Sequence, residues 1–216
     1  MPRRHFVLAF RSKSIGISRQ GQVMGKGRLE AFSDGVMAII ITIMVLEMRP
    51  PEGATLDALR PLLTTLLSYL LSFVYVGIYW NNHHHLLQAC QKVTGSVLWA
   101  NLHLLFWLSL LPFATHWMDD FNQQPLPTAL YGCILLAAAI AYWILQRRIV
   151  AADGESSRLR HALGSDWKGK LSPVLYISGI ALSFVNAHLA QLLYATVALL
   201  WLIPDRRIER ELGQAG

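Results

Sequence analysis

Polar residues stand at the entrance to the first long apolar segment of this chain. Arg28, Ser33 and Asp34 precede a run from 36 to 46 in which Thr42 is the single polar residue. Because lipid offers neither a counter-charge nor a hydrogen-bond partner, a charged entrance on a membrane-length helix needs a protein partner or water. This pattern favours a helix that lines a polar path over one that serves only as an anchor.

The same run carries a stripe of residues at helical spacing. Its members are Ile39, Thr42, Ile43 and Leu46. In an α-helix these residues share one face and climb about 10 Å along it. Taken alone, such a stripe on a membrane helix is most often in ordinary contact with lipid or neighbouring helices.

The composition indicates the class of protein in which these residues lie. Of 216 residues, 54% are hydrophobic and 15% are charged, and the mean hydropathy is +0.38. Soluble domains are typically about 45–50% apolar and about 25% charged. The sequence therefore predicts an all-α membrane protein with several spans. Cys90 and Cys133 lie in different apolar segments, so neither a disulfide nor a thiol catalyst is expected.

Six segments are long and apolar enough to suggest membrane spans, each near the ~20 residues that a bilayer requires. Their expected ranges are about 31–48, 62–82, 97–117, 127–146, 171–186 and 188–203. The last two are short, and a tight turn at 186–188 is expected to make them a hairpin.

The distribution of basic residues predicts the orientation of these spans. Of the 19 lysines and arginines, 17 fall in the termini and in the loops on one side of a six-span arrangement. The positive-inside rule places that side in the cytoplasm, together with both termini. The net charge of +6 therefore indicates membrane topology, and no nucleic acid partner is expected.

This topology brings a set of polar residues to one depth near the cytoplasmic boundary. Its members are Arg28, Ser33, Asp34, Trp80, His83 and Asn101. An unpaired charge within a membrane costs about 2.5–3.5 kcal/mol even on insertion scales, so these groups are expected to partner one another. We favour a hydrogen-bonded clasp that fixes the first helix. A gate or proton-sensitive element remains the alternative, because histidine changes charge near physiological pH.

The run from His83 to His85 does not predict a metal site. Consecutive helical residues point about 100° apart, so three in a row cannot face one ion. Phosphate-loop, hydrolase-elbow and metalloprotease motifs are absent, and no nucleophile and base share a common depth. The sequence therefore predicts neither an enzyme nor a bound cofactor or metal.

Three motifs carry a resemblance to a known family. They are Arg28-x-x-x-Phe32-Ser33-Asp34-Gly35, then Tyr79-Trp80-Asn-Asn-His83-His84, then Asn101 to Phe106 continuing to Leu111-Pro112-Phe113. Together they resemble the transmembrane protein 175 family of potassium channels in its single-repeat prokaryotic form, over about 26–204. The basic extension before Lys26 and the third histidine are not part of that pattern.

The resemblance implies a homotetramer in which the first helix of each subunit lines the pore. It implies that Ile39 forms a hydrophobic constriction, that Thr42 presents a ring of four hydroxyls, and that Leu46 adds an apolar layer, with Ile43 on the same lining. Narrow rings of this kind gate by dewetting. The expected function is moderately selective, passive K⁺ conduction, and the polar set, with Phe32, would anchor the first helix at the inner mouth.

Two other functions stay open at this stage. One is a proton-coupled secondary transporter using Asp34 and His83, although no three-plus-three repeat is visible and the midplane positions are apolar. The other is a membrane assembly protein that does not conduct.

The expected organisation has three parts in the plasma or inner membrane of the cell. A basic, disordered tail occupies 1–25, a six-helix channel domain occupies 26–204, and a short cytoplasmic tail occupies 205–216. The partners are the lipid bilayer and further copies of the chain. Met24 is an alternative start, since it directly precedes the first helix.

Overall fold

A computed structural model describes residues 25–157, 159 and 167–202, and the regular structure in these ranges is helical throughout. Seven α-helices follow one another in the described residues: α1 (Lys26–Leu46), α2 (Leu62–Ala89), α3 (Gly95–Ser109), α4 (Leu111–Asp120), α5 (Pro125–Asp153), α6 (Trp167–Ser183) and α7 (Ala187–Leu202). Short 3₁₀ turns occupy Leu56–Leu59 and Gly154–Ser156. The expected tails at 1–25 and 205–216 lie outside the described residues, apart from Gly25.

The helix boundaries follow local chemistry. Pro125 and Pro127 occupy the first turn of α5, where a missing N–H costs nothing. Gly154 ends the same helix with a φ of 70°, a conformation that glycine adopts without steric cost. At the start of α7, the Asn186 side-chain oxygen accepts a hydrogen bond of 3.2 Å from the Leu189 N–H.

The third predicted span is one apolar stretch, Gly95–Asp120, that the structure divides at Leu110 into α3 and α4. Pro112 explains the break, because its ring nitrogen cannot donate to the carbonyl of Leu108 in the preceding turn. At the junction, the Leu110 N–H donates instead to the Trp107 carbonyl at 3.3 Å, which tightens the turn.

Among the described residues, four stretches are long and apolar enough to cross a bilayer: Lys26–Leu46, Leu62–Ala89, Gly95–Asp120 and Pro125–Asp153. They correspond to the first four predicted spans, with α2 and α5 extending seven residues beyond the expected ends. The last two helices are shorter, with 17 and 16 residues. They form the predicted hairpin, but its turn lies at 184–186, and Ala187 and His188 already belong to α7.

Helix α5 lies at the centre of the bundle, against α3, α4, α6 and α7, whereas α1 packs on α2, α3 and α4. A close approach occurs at Tyr194 of α7, whose ring lies directly against Gly132 of α5 and Gly179 of α6. A side chain at either glycine would overlap this ring. Small residues at such crossings are typical of membrane bundles, where tight packing replaces the hydrophobic driving force.

Candidate functional site: the exposed face of α1 and its N-terminal contacts

Helix α1 has one face buried within the protomer and one face exposed. The buried residues recur at helical spacing: Leu29, Ser33, Met37, Ile40 and Met44. They pack against α2, α3 and α4, so the rotation of α1 about its own axis is fixed by this contact.

All four residues of the sequence stripe lie on the exposed face. Ile39 is 57% exposed, Ile43 41% and Leu46 80%, and Thr42 is exposed as well. At 100° per residue they span about 100° of the helix surface. The protomer therefore leaves this face free for lipid or for other copies of the chain.

Two small residues share the exposed side of α1. Gly35 is exposed, with nothing within 4 Å of the position that a side chain would occupy, and Ala38 is exposed one turn further along. Small residues let helices approach closely in membranes. The first half of α1 therefore has room for the close approach of another helix.

The Thr42 hydroxyl donates a hydrogen bond of 2.8 Å to the carbonyl oxygen of Ile39. A threonine hydroxyl has one proton and two acceptor lone pairs. Because the proton is directed back to the helix, the exposed side of the Thr42 oxygen can only accept, which is the polarity that a cation requires.

Near the N-terminal end of α1, a buried chain of hydrogen bonds joins three helices. The Asn101 side-chain amide of α3 donates to the Ser33 hydroxyl of α1 at 2.9 Å, and its oxygen lies 2.6 Å from Nε2 of His83 on α2. Ser33 in turn donates to the Leu29 carbonyl at 2.9 Å. Each side chain is at most 1% exposed. The chain therefore fixes the position of α1 against α2 and α3.

A second contact joins α1 to α2 at the surface. The Trp80 indole N–H donates to the Asp34 carboxylate at 3.1 Å, and the Trp80 ring stacks on His84 with centroids 6.3 Å apart. Because Trp80 is 48% exposed, this contact is open to solvent, lipid or a neighbouring copy.

The structure thus divides the predicted polar set. It brings Ser33, His83 and Asn101 together and pairs Asp34 with Trp80. Arg28 makes no ion pair with Asp34 among the described residues. It lies with Phe32, which is 54% exposed, beside a groove between α1 and α3.

The sequence reasoning missed Asp153 at the end of α5. This carboxylate is 3% exposed and accepts hydrogen bonds of 3.0–3.3 Å from the backbone N–H groups of Gln91 and Lys92. It thereby holds the connection between α2 and α3. Near the end of α2, the Gln88 carbonyl accepts a hydrogen bond of 2.8 Å from the Lys26 ammonium of α1. The sequence signal that could have identified Asp153 is its place directly before Gly154, the glycine that ends α5.

Comparison with known proteins decides the family. The family model described as "Endosomal/lysosomal potassium channel TMEM175" matches residues 28–112. A potassium channel of Chryseobacterium sp. (strain P1-3) is 56% identical over 88% of this chain and 100% of its own length. This chain belongs to the TMEM175 family. The predicted resemblance is confirmed, and the chain is a membrane protein of an ion-channel family.

A solved TMEM175 structure shares the fold. The crystal structure of a lysosomal potassium-selective channel TMEM175 homolog from Chamaesiphon minutus matches with a TM-score of 0.73 and 28% identity. The match covers 83% of this chain and 97% of the other. The human endosomal/lysosomal proton channel TMEM175 is 26% identical over 80% of this chain but only 37% of its own length.

The TMEM175 match at 28–112 includes both parts of the candidate site, from Arg28 to the start of α4. Within the described ranges, the residues do not bring three or more histidine, cysteine or acidic side chains together as metal ligands. His84 lies 2.8 Å from the Gln88 amide at the helix surface, whereas His83 belongs to the buried chain with Asn101.

Proposed function

We propose that this chain is a passive potassium channel that assembles as a homotetramer, with the exposed face of α1 lining the pore. The observation that carries the proposal is the exposure of Ile39, Thr42, Ile43 and Leu46 in a protomer that buries the opposite face of the same helix. Relatives named potassium channels, at 56%, 30% and 31% identity, support K⁺ as the permeant ion.

In this proposal Ile39 forms the hydrophobic constriction. Four copies of its branched side chain meet on the axis and exclude water when the pore is narrow. Leu46 lies about 10 Å further along the axis, two turns away, and forms a second apolar layer. Gly35 and Ala38 permit the close helix approach that a narrow ring requires.

The proposed role of Thr42 is to replace part of the hydration shell of the ion. Its proton is engaged by the Ile39 carbonyl, so four oxygen atoms face the axis as acceptors. Four hydroxyl oxygens supply fewer ligands than stacked rings of backbone carbonyls, so the selectivity for K⁺ over Na⁺ should be moderate.

With the N-terminus in the cytoplasm, the contacts near the start of α1 would act as an inner-end anchor for the pore helix. The buried chain from Ser33 through Asn101 to His83 fixes the rotation of α1 about its own axis. The hydrogen bond between Asp34 and Trp80 adds a contact between α1 and α2 at the protein surface. A small rotation of α1 would move Ile39 and Thr42 off the axis. The anchor is therefore proposed as a positioning device, and a gating role for His83 is the competing hypothesis.

The proposed topology has six spans and both termini in the cytoplasm, because 17 of 19 basic residues fall on that side. Residues 26–204 then form the channel domain, between a basic tail at 1–25 and a short tail at 205–216. The proposed location is the plasma or inner membrane. We propose no catalytic activity and no cofactor.

Flux through purified protein in liposomes tests this function. An outward K⁺ gradient should drive passive, K⁺-preferring flux, measured against Na⁺ and against protons. Flux that needs a second gradient would indicate a coupled transporter. No flux from protein shown to be folded would favour an assembly protein and contradict the proposal.

A further inference from the structure

Two basic side chains lie over tryptophan rings around one cavity of the bundle. The Arg147 guanidinium of α5 lies 5.0 Å from the centroid of the Trp143 ring on the same helix. The Lys168 ammonium of α6 lies 5.9 Å from the centroid of the Trp201 ring on α7. Both tryptophans line the cavity between α2, α5, α6 and α7, so the two pairs border the same space.

The proposed topology places both pairs at the cytoplasmic boundary of the membrane. Arg147 lies near the end of α5, Lys168 in the first turn of α6, and Trp201 in the last turn described for α7. In that topology α5 and α7 end at the cytoplasmic side, and α6 begins there. Tryptophan and basic side chains are enriched at this boundary, where lipid headgroups meet the hydrocarbon core.

The two tryptophans differ in what they present to a lipid. The Trp201 indole N–H donates to the Ser172 hydroxyl at 2.7 Å, which holds this side chain within the bundle. Trp143 is 53% exposed, so its ring borders the cavity and also faces outward. Tryptophans at a membrane boundary pack the apolar part of the ring against lipid and keep its polar edge at headgroup level.

Arg147 has the geometry to bind a phosphate. It is exposed, and among the described residues it makes no ion pair with an acidic side chain. A guanidinium that lies over an aromatic face keeps its N–H donors along the edge of its plane, where they match two oxygens of a phosphate. Asp153, the single acidic residue of α5, accepts instead from the backbone N–H groups of Gln91 and Lys92.

Lys168 strengthens the positive potential at the same site. The residue is 8% exposed, so its charge is only weakly screened by water and salt. It also lies in the first turn of α6, where the helix dipole contributes a partial positive charge. With Arg147 at the surface, the site is complementary to an anion at the level of the lipid headgroups.

We propose that Arg147, Trp143 and Lys168 form a binding site for the headgroup of an anionic phospholipid from the cytoplasmic leaflet. The Arg147 guanidinium donates to the lipid phosphate, and the Trp143 ring packs against the adjoining glycerol and upper acyl chain. Basic sites between membrane helices on the cytoplasmic side are typical of anionic lipids. The adjoining cavity of about 60 Å³ is well below the ~150 Å³ of one that holds benzene, so the lipid lies across its rim. The inference rests on the proposed topology but not on a pore lined by α1.

Native mass spectrometry of the full-length protein in detergent tests the site without any flux measurement. Because detergent micelles have no leaflets, lipid binding is measured independently of the topology. Phosphatidylglycerol should bind severalfold more tightly than phosphatidylcholine with identical acyl chains. Arg147→Gln should weaken phosphatidylglycerol binding about fivefold, the effect expected for one basic residue at a membrane surface, and leave phosphatidylcholine binding unchanged. Arg147→Lys keeps the charge and should retain most of the preference.

Arg148→Gln is the matched control, because Arg148 is also exposed but points about 100° away from Arg147 around α5. This variant should bind phosphatidylglycerol like the wild type. Equal weakening by Arg147→Gln and Arg148→Gln would mean diffuse charge attraction and would overturn the proposal. So would phosphatidylglycerol binding that survives both Arg147→Gln and Trp143→Ala. Displacement of the lipid by glycerol phosphate at an equal concentration would assign the site to soluble phosphate esters, which also contradicts the proposal.

Discussion

The hydroxyl of Thr42 donates to the carbonyl of Ile39 at 2.8 Å, so the two residues with the most distinct proposed roles in conduction are joined within one turn of α1. Ile39 presents a branched apolar side chain to the exposed face, and Thr42 presents an oxygen that only accepts. The bond couples the hydrophobic and the ion-coordinating parts of the proposed pore in one rigid unit.

Replacement of Ile39 by alanine should raise K⁺ flux severalfold, because a smaller ring no longer excludes water from the axis. Liposome flux at equal protein loading measures the change. Ile140→Ala on α5 is the matched control, since Ile140 is 45% exposed on a helix that is not proposed to line the pore. Equal flux from wild type, Ile39→Ala and Ile140→Ala would refute the constriction.

Replacement of Thr42 by alanine should lower the ratio of K⁺ to Na⁺ permeability, because the ring of acceptor oxygens is lost. Thr42→Ser keeps the hydroxyl and should retain most of the ratio. Reversal potentials under bi-ionic conditions give the ratio directly. The hydroxyl hypothesis fails if alanine and serine variants have the same ratio as the wild type.

Loss of the Asn101 side chain should destabilise the inner-end anchor. Asn101→Ala leaves the buried Ser33 and His83 groups each short of a partner, at a cost of about 1–3 kcal/mol per group. Thermal unfolding of the purified protein should show a clearly lower midpoint, whereas Asn122→Ala, at a half-buried position after α4, should not. If Asn101→Ala instead unfolds like the wild type and alters only the pH dependence of flux, the gating role of His83 is favoured over the anchor.

The glycines around Tyr194 should tolerate no side chain. Gly132→Ala or Gly179→Ala forces a methyl group into the Tyr194 ring, and overpacking of this kind typically costs about 1–3 kcal/mol. Gly77→Ala on α2 is the control, because nothing lies within 4 Å of its side-chain position. A midpoint of thermal unfolding that is equally unchanged in all three variants would contradict the packing described for α5, α6 and α7.

Much of the architecture was readable from the sequence because membrane spans are set by length and apolarity. The first four spans and the α1 stripe are present where hydropathy and helical spacing placed them. The break at Leu110 was missed, although Pro112 signalled it, because the apolar run continues through it without interruption.

The sequence predicted which polar residues lie at one depth but not how they pair. Equal depth correctly placed Ser33, His83 and Asn101 together. It also placed Arg28 in the same polar set as Asp34, but depth fixes only the position of a residue along the membrane normal. The direction of each side chain around its helix depends on packing rotations, which turn Arg28 toward the groove between α1 and α3.

Cysteine accessibility along α1 tests the central claim most directly. Both native cysteines are first replaced by alanine. Cys133 needs replacement because it is exposed to the reagent. Cys90 is less reactive, because burial raises the pKa of its thiol. In this background, Thr42→Cys is compared with Ile40→Cys, which lies on the buried face of the same helix. A charged, water-soluble methanethiosulfonate reagent should block K⁺ flux through the Thr42→Cys protein and leave the Ile40→Cys protein unaffected. Flux that persists in both, from folded and conducting proteins, would contradict a pore lined by the exposed face of α1.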